Sequence, residues 1–281
     1  MGKGRDKKKK SRSSTGKAKS AHKDAKKGKW DSSEDEEDLD ALLEAYTREL
    51  QEKTKVVCED SSSSGPSPRV NCSVIANPHN TSELIVFGGE YYDGERCCYY
   101  NDLFRYNIDK KTWKQVRSKT APKPRSSHQM VLCSTGQIFM FGGEFGSSKD
   151  TKFLHYRDQW LLDLKTFSWS EVDCQVAPPP RSGHRMVAWK NFVVMYGGFQ
   201  DNGSETRYLD DLWIFNCREH TWTRLDVKGE RPSARSGFIF ASTDFGAVLY
   251  GGYHVVKGGK GGSSGTCLTD LWLLRLPQDG T

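Results

Sequence analysis

Residues able to do chemistry recur along this chain at a fixed interval instead of gathering in one place. Arginine stands at Arg69, Arg125, Arg181 and Arg235, in the contexts SPRVN, KPRSSHQM, PPRSGHRM and SARSGFIF. Histidine occupies matching places in the second and third contexts, His128 and His184, with Asn71 and Phe238 in the other two. A general base is needed once per active site, so imidazoles repeated in this way read as structural hydrogen-bonding groups. Downstream of each arginine stands an aspartate, namely Asp102, Asp158, Asp211 and Asp270. A guanidinium held by that carboxylate, or by backbone carbonyls near one rim, is the role this pattern implies.

Glycine doublets could cradle a phosphate. They stand at Gly88-Gly89, Gly142-Gly143, Gly197-Gly198 and Gly251-Gly252, each closing an apolar run such as ELIVFGG or FVVMYGG. A phosphate site on such a loop needs a helix N-terminus after it, and no helical pattern follows any doublet. The stretch VVKGGKGGSSG (255–265) fails the P-loop pattern, because Lys260 precedes Gly261 and not Ser or Thr; it reads as a flexible loop insertion. Eight cysteines show no C-x-x-C spacing, and the vicinal Cys97-Cys98 fits no metal pattern. They read as reduced thiols in an intracellular protein, cytoplasmic or nuclear, with no metal or cofactor.

Recognition by surface loops is the remaining function. The segments after the doublets are EYYDGERCCYY (90–100), EFGSSKDTKFLHYR (144–157), FQDNGSETRYLD (199–210) and the Gly-rich 253–266. The first three mix aromatics with charges, the composition of a protein-recognition patch. The candidate contact residues are Tyr91, Tyr92, Arg96, Phe145, His155, Tyr156, Phe199, Arg207 and Tyr208. The competing reading has Tyr91, Tyr92, Phe145 and Tyr208 packing the ends of the strands.

The elements that position these residues are short strands. After each doublet and its loop comes an Asp-Leu-Trp-like strand: NDLFRYNI, RDQWLLDL, DDLWIFNC or TDLWLLRL. Eleven residues after the aspartate a second short strand carries Trp113, Trp169 or Trp222. The doublets are spaced 54, 55 and 54 residues apart, so each period holds four strands with turns between them. A four-stranded antiparallel unit of about 50 residues is a propeller blade, and radial packing explains second strands that are apolar on both faces.

The order Arg-Ser-Gly-His, apolar run with Gly-Gly, Asp-Leu-Trp and Thr-Trp is similar to the kelch repeat, over residues 69 to 281. That resemblance implies an all-β, kelch-type β-propeller of about four blades, at 69–116, 125–172, 181–225 and 235–276. It implies a non-catalytic scaffold that binds partner proteins through the loop face as a monomer. Copper oxidases with a Tyr–Cys crosslink exist on kelch propellers, but this chain shows no metal-ligand cluster in its sequence. The N-terminal 68 residues carry no BTB or F-box pattern.

Ahead of the repeats, residues 1–30 carry 13 Lys or Arg against two acids, and WDSSEDEED follows. The formal net charge is +6 overall, so residues 31–281 sum to −5 and the basicity belongs to the tail. A mean hydropathy of −0.72 fits a disordered basic then acidic tail over 1–38. That tail could bind nucleic acid, serve as a nuclear signal or keep the protein soluble, and an alternative function is a nucleic-acid-associated factor with the propeller as partner platform. Ser32 and Ser33 precede Asp35 and Glu36 at acid-directed kinase spacing. Residues 39–52 place Leu39, Leu42, Leu43, Tyr46 and Leu50 on one face of an amphipathic helix, with a capping box at Ser33 and Glu36. No apolar run is long enough to span a membrane, and no secretory signal is present at the N-terminus.

Counting 11 from Asp270 lands on Thr281, the last residue, so the fourth repeat lacks its Trp strand. Within the linker 53–68, the run 55–58 lies where a closing strand for that blade would fall. The longer kelch pattern makes a fragment or short isoform the expected state over a closed four-bladed ring.

Overall fold

A computed structural model describes residues 41–48, 60–118, 120–146, 153–202, 205–257 and 263–277. The basic tail and the expected closing strand 55–58 lie outside them. Helix α1 covers residues 41–48 of the expected 39–52.

The strands are β1 (Asp60–Ser63), β2 (Ser73–Ala76), β3 (Glu83–Phe87), β4 (Glu90–Tyr92), β5 (Cys97–Tyr99), β6 (Leu103–Asn107) and β7 (Thr112–Val116) in the first unit. The second holds β8 (Gln129–Leu132), β9 (Ile138–Phe141), β10 (Glu144–Gly146), β11 (Phe153–His155), β12 (Gln159–Leu162) and β13 (Trp169–Glu171). The third holds β14 (Arg185–Trp189), β15 (Phe192–Tyr196), β16 (Phe199–Asp201), β17 (Thr206–Tyr208), β18 (Leu212–Asn216) and β19 (Thr221–Leu225). The fourth holds β20 (Ile239–Thr243), β21 (Gly246–Lys257) and β22 (Ser263–Arg275).

Each unit is an antiparallel sheet in sequence order, β2-β3-β6-β7, β8-β9-β12-β13, β14-β15-β18-β19 and β20-β21-β22. The first strands β2, β8, β14 and β20 lie side by side in that order, as blades around an axis require. Strand β1 is the described strand ahead of Arg69, and it pairs with β7 of the first blade, not with the last blade. Among the described residues the fourth blade has three strands.

The segments read as polar loops fold as β-hairpins, β4–β5, β10–β11 and β16–β17. In the fourth blade the region expected as a Gly-rich loop is strand: β21 and β22 run on past a bulge between Tyr250 and Gly252, pairing Tyr253 with Cys267. The core lies between blades. Ile85, Phe87 and Leu103 of the first blade pack with Met140, Trp160 and Trp169 of the second. Phe139 and Phe141 of the second pack with Met195, Phe215 and Trp222 of the third.

The doublets stitch neighbouring blades. Gly142 and Gly143 take φ of 68° and 99°, a region open to glycine. A Cβ at Gly142 would sit 2.6 Å from the Arg181 carbonyl oxygen, and the Gly143 N–H donates to that same oxygen at 2.9 Å. Gly88-Gly89 and Gly197-Gly198 repeat these contacts with Arg125 and Arg235.

Candidate functional site: the hairpin face

Four ion pairs brace the base of this face. Arg125 donates to both carboxylate oxygens of Asp158 at 2.7 Å and to the Gly142 carbonyl at 3.1 Å. Arg181 does the same to Asp211 at 2.6 and 2.8 Å and to Gly197 at 3.0 Å. Arg235 holds Asp270 and the Gly251 carbonyl, and Arg69 holds Asp102 and the Gly88 carbonyl. Arg125, Arg181 and Arg235 are fully buried. A guanidinium survives burial only with its donors matched, and the bidentate geometry supplies that. Trp160, Trp213 and Trp272 each donate an indole N–H to the aspartate two residues earlier. Burial opposes the charged form of Asp158 and Asp211, but their arginines and indoles outweigh it and hold both carboxyls below the usual carboxylate range.

His128 and His184 do not act as hydrogen-bonding groups. Their ring nitrogens have no hydrogen-bond partner, and only the Phe141 backbone exerts a favourable pull on His184. Each ring stands edge-on to the aromatic residue ending the previous blade's second strand, Phe87 or Phe141, with centroids 5.5 Å apart. Phe238 meets Tyr196 in the same way at 5.7 Å, so the position asks for a ring and not for an imidazole. Burial, with Arg125 second, pushes His128 down to about 3, and burial lowers His184 well below its ordinary value. The counterpart in the first repeat is Cys72 and not Asn71: Gly89 abuts the Cys72 Cβ as Gly143 abuts that of His128. Asn71 instead matches Ser127, Gly183 and Gly237, and all four have φ between 54° and 63°.

The hairpins form a continuous row, with β5 against β10 and β11 against β16. At the far end, Tyr208 reaches Tyr253 of the extended fourth hairpin, centroids 6.3 Å apart. Between blades two and three, the Asp201 backbone N–H donates to His155 Nε2 at 2.8 Å, which leaves the ring proton on Nδ1. That N–H faces Ser182 Oγ at 3.1 Å, and Ser182 donates to Glu144 Oε2 at 2.7 Å. Serine, histidine and glutamate meet here, but His155 donates to the serine instead of accepting its proton, and Ser182 is fully buried. The cluster ties one hairpin to the next and has neither the polarity nor the access of a nucleophilic site.

Helix α1 lies on the same face. Leu43 is fully buried among Tyr99, Phe145 and Tyr156, and the Tyr46 O–H donates to the Tyr99 carbonyl at 3.1 Å. Of the residues marked for partner contact, Phe145, His155 and Tyr156 are therefore interior: Phe145 lies with Leu43, and Tyr156 donates to the Pro124 carbonyl and stacks on Arg125. Phe199 is half-buried between His155 and Tyr208. Tyr91, Tyr92, Arg96 and Arg207 are exposed, Tyr92 by 61%. Sequence reasoning missed Leu43, Tyr46 and Tyr253 as members of this face; the serine after each arginine in repeats two to four was the one visible signal for the Ser182 network.

Among the described residues no group of three or more His, Cys, Asp or Glu is arranged to hold a metal, the seven cysteines are free, and no helix is long and apolar enough to cross a membrane.

Comparison with known proteins agrees with this architecture. The chain is 32% identical over 166 residues to the flagellar outer arm dynein alpha chain of Chlamydomonas reinhardtii, covering 57% of this chain and 3% of that one. It is 31% identical to human host cell factor 1 over 188 residues, 60% of this chain and 9% of the relative. To human kelch domain-containing protein 3 it is 26% identical over 60% of this chain and 44% of the relative. The chain thus spans less than half the length of each of these relatives. The solved structure of YjhT superposes with a TM-score of 0.58 at 17% identity, covering 75% of this chain and 69% of that one, a likeness of fold. The KLHDC2/KLHL20/DRC7 kelch-repeats domain matches residues 32–252, and the chain belongs to that kelch-repeat family.

Proposed function

We propose that the protein is a non-catalytic scaffold whose hairpin face binds another protein. The supporting observation is the row of adjoining hairpins that leaves Tyr91, Tyr92, Arg96 and Arg207 outward while rigid ion pairs brace it from beneath. Aromatic and arginine side chains on a fixed platform are what protein interfaces use as anchors. The inward-facing His155, Ser182 and Glu144 serve that rigidity, and the reading assigns them no reaction.

Affinity capture tests it with two variants of the full chain. One combines Tyr91→Ser, Tyr92→Ser, Arg96→Glu and Arg207→Glu; the other, a control on β7 of the first blade away from the hairpins, is Lys114→Glu. The hairpin variant loses the proteins that the native chain and the control retain. Identical recoveries from all three would overturn the proposal.

A further inference from the structure

Two neighbouring hairpin junctions are closed by different means. Between the second and third blades, Ser182, Glu144 and His155 bond to one another and the Asp201 N–H caps the imidazole, so that junction seals with its own polar groups. At the junction before it, between the first and second blades, none of this is repeated. Tyr99 stands in the place of His155, since it pairs with Glu90 as His155 pairs with Glu144. Ser126, the counterpart of Ser182, is fully buried and its hydroxyl has no hydrogen-bond partner. The contact there is apolar: Tyr99 and Phe145 lie with ring centroids 5.1 Å apart, in one cluster with Tyr156. What completes this cluster comes from outside the repeats, the Leu43 side chain of α1.

Phe145 shows what α1 changes. It is the second residue after its doublet, and at the same position Tyr91 is 40% exposed while Gln200 and His254 are half-buried. Phe145 alone of the four is interior, with Leu43 in its cluster and the Tyr46 ring 6.1 Å away. Leu43 and Tyr46 are one turn apart and so share a face of the helix, and the Tyr46 O–H marks the seat by donating to the Tyr99 carbonyl. Leu42, beside that face, is 44% exposed. The Leu43 cluster is separate from those that hold the blades together, so emptying it leaves the blades packed. A helix of even about 12–15 residues is marginal by itself in water, so α1 is helical because it is docked. Residues 49–59 join it to β1, which makes it a ligand tethered beside its own site.

We propose that the seat formed by Tyr99, Phe145 and Tyr156 is a helix-docking groove, filled by α1 in the resting chain and taken, when α1 is displaced, by an amphipathic helix of a partner protein that presents a leucine and a tyrosine one turn apart. Helix α1 is then a built-in competitor for the hairpin face. This deepens the reading of that face as a protein-binding surface, and its probe is the chain's own helix, so it can fail while the capture experiment above succeeds.

The test uses the full chain carrying Leu43→Glu, which unseats α1, and a fluorescein-labelled peptide LDALLEAYTRELQE, the sequence of residues 39–52. Anisotropy rises saturably with this variant. The native chain, whose seat is filled, binds the peptide at least tenfold more weakly, and so does the variant chain when the peptide itself carries Leu43→Glu. A photoreactive leucine at peptide position 43 crosslinks to Tyr99, Phe145 or Tyr156. Hydrogen-exchange protection that persists in β8, β9 and β12 shows that the variant's blades are folded. No binding to the folded variant at millimolar peptide would overturn the proposal. Equal binding to the native chain, equal binding of the Leu43→Glu peptide, or crosslinks confined to other parts of the chain would overturn it too.

Discussion

Phe141 and Tyr250 occupy the same position in the second and fourth blades, the last residue before a glycine doublet. Phe141 is fully buried, ringed by His184 and Trp222 of the following blade, whereas Tyr250 is 45% exposed. The contrast runs across the whole sheet face. Leu161 is buried in the second blade, but its equivalent Leu273 is 55% exposed in the fourth, beside Ile239 and Leu271 at 63% each. The same repeat motif therefore yields core or surface according to whether a neighbouring blade covers it. Stability in such an array comes from the interfaces between units as much as from the units.

The strongest way to break the closed interface is through its buried charges. Arg181→Met leaves the Asp211 carboxylate without its cation and costs about 3–5 kcal/mol of unfolding free energy, read by urea titration. Arg235→Met, which strands at the fourth blade an aspartate that is 39% exposed, costs clearly less. Equal losses would show that the last pair is as enclosed as the inner one. Trp222→Ala comes next, at about 3–4 kcal/mol, because it empties a full cluster and strands the Gln159 side chain that accepts its indole N–H. Trp272→Ala costs less, since that ring already borders a cavity of about 440 Å³ between the third and fourth blades.

Much of this could be read from residue spacing. The arginine, doublet, aspartate and tryptophan recur so regularly that the blade and its strand order follow from turn and apolar patterns alone. What escaped depended on contacts between distant segments. The hairpins looked like loops because three-residue strands such as Phe199–Asp201 and Thr206–Tyr208 are too short to show alternation. The docking of Leu43 on Phe145 joins residues about a hundred positions apart, and an amphipathic pattern names a sticky face without naming its target. Asn71 was misaligned with His128 because the first repeat reads Arg-Val-Asn-Cys, without the serine that follows the arginine in the other three. The unbonded state of the two histidines was hidden too, since the residue type argues for hydrogen bonding and only burial shows otherwise.

Those histidines give the closed interface an acid sensitivity that the fourth blade, with Phe238 in their place, does not share. A histidine whose folded pKa lies below its unfolded value stabilises the fold fully above the unfolded value near 6.5, and that contribution falls as pH drops. For His128 the fall continues down toward about 3, with a slope of up to about 1.4 kcal/mol per pH unit. His155, lowered to about 4 by burial against the opposing pull of Asp201, adds to it. The thermal midpoint therefore declines from pH 7 to pH 5. The His128→Phe/His184→Phe chain, which copies the fourth repeat, declines less steeply. Parallel curves for the two chains would show that these rings are not the acid-sensitive groups.

The smallest expected effect bears on the open side of the comparison. Ile239, Tyr250 and Leu271 lie side by side on adjacent strands, since Ile239 pairs with Tyr250 and Tyr250 with Leu271. A contiguous apolar patch at a sheet face favours self-association, while each exposed side chain contributes little to folding. Ile239→Ser combined with Leu271→Ser should change unfolding free energy by less than about 0.5 kcal/mol per site, yet lower light scattering in concentrated solution. A loss of about 2 kcal/mol or more at either site would mean that this face is covered in solution, and that the fourth blade is packed on both sides like the second.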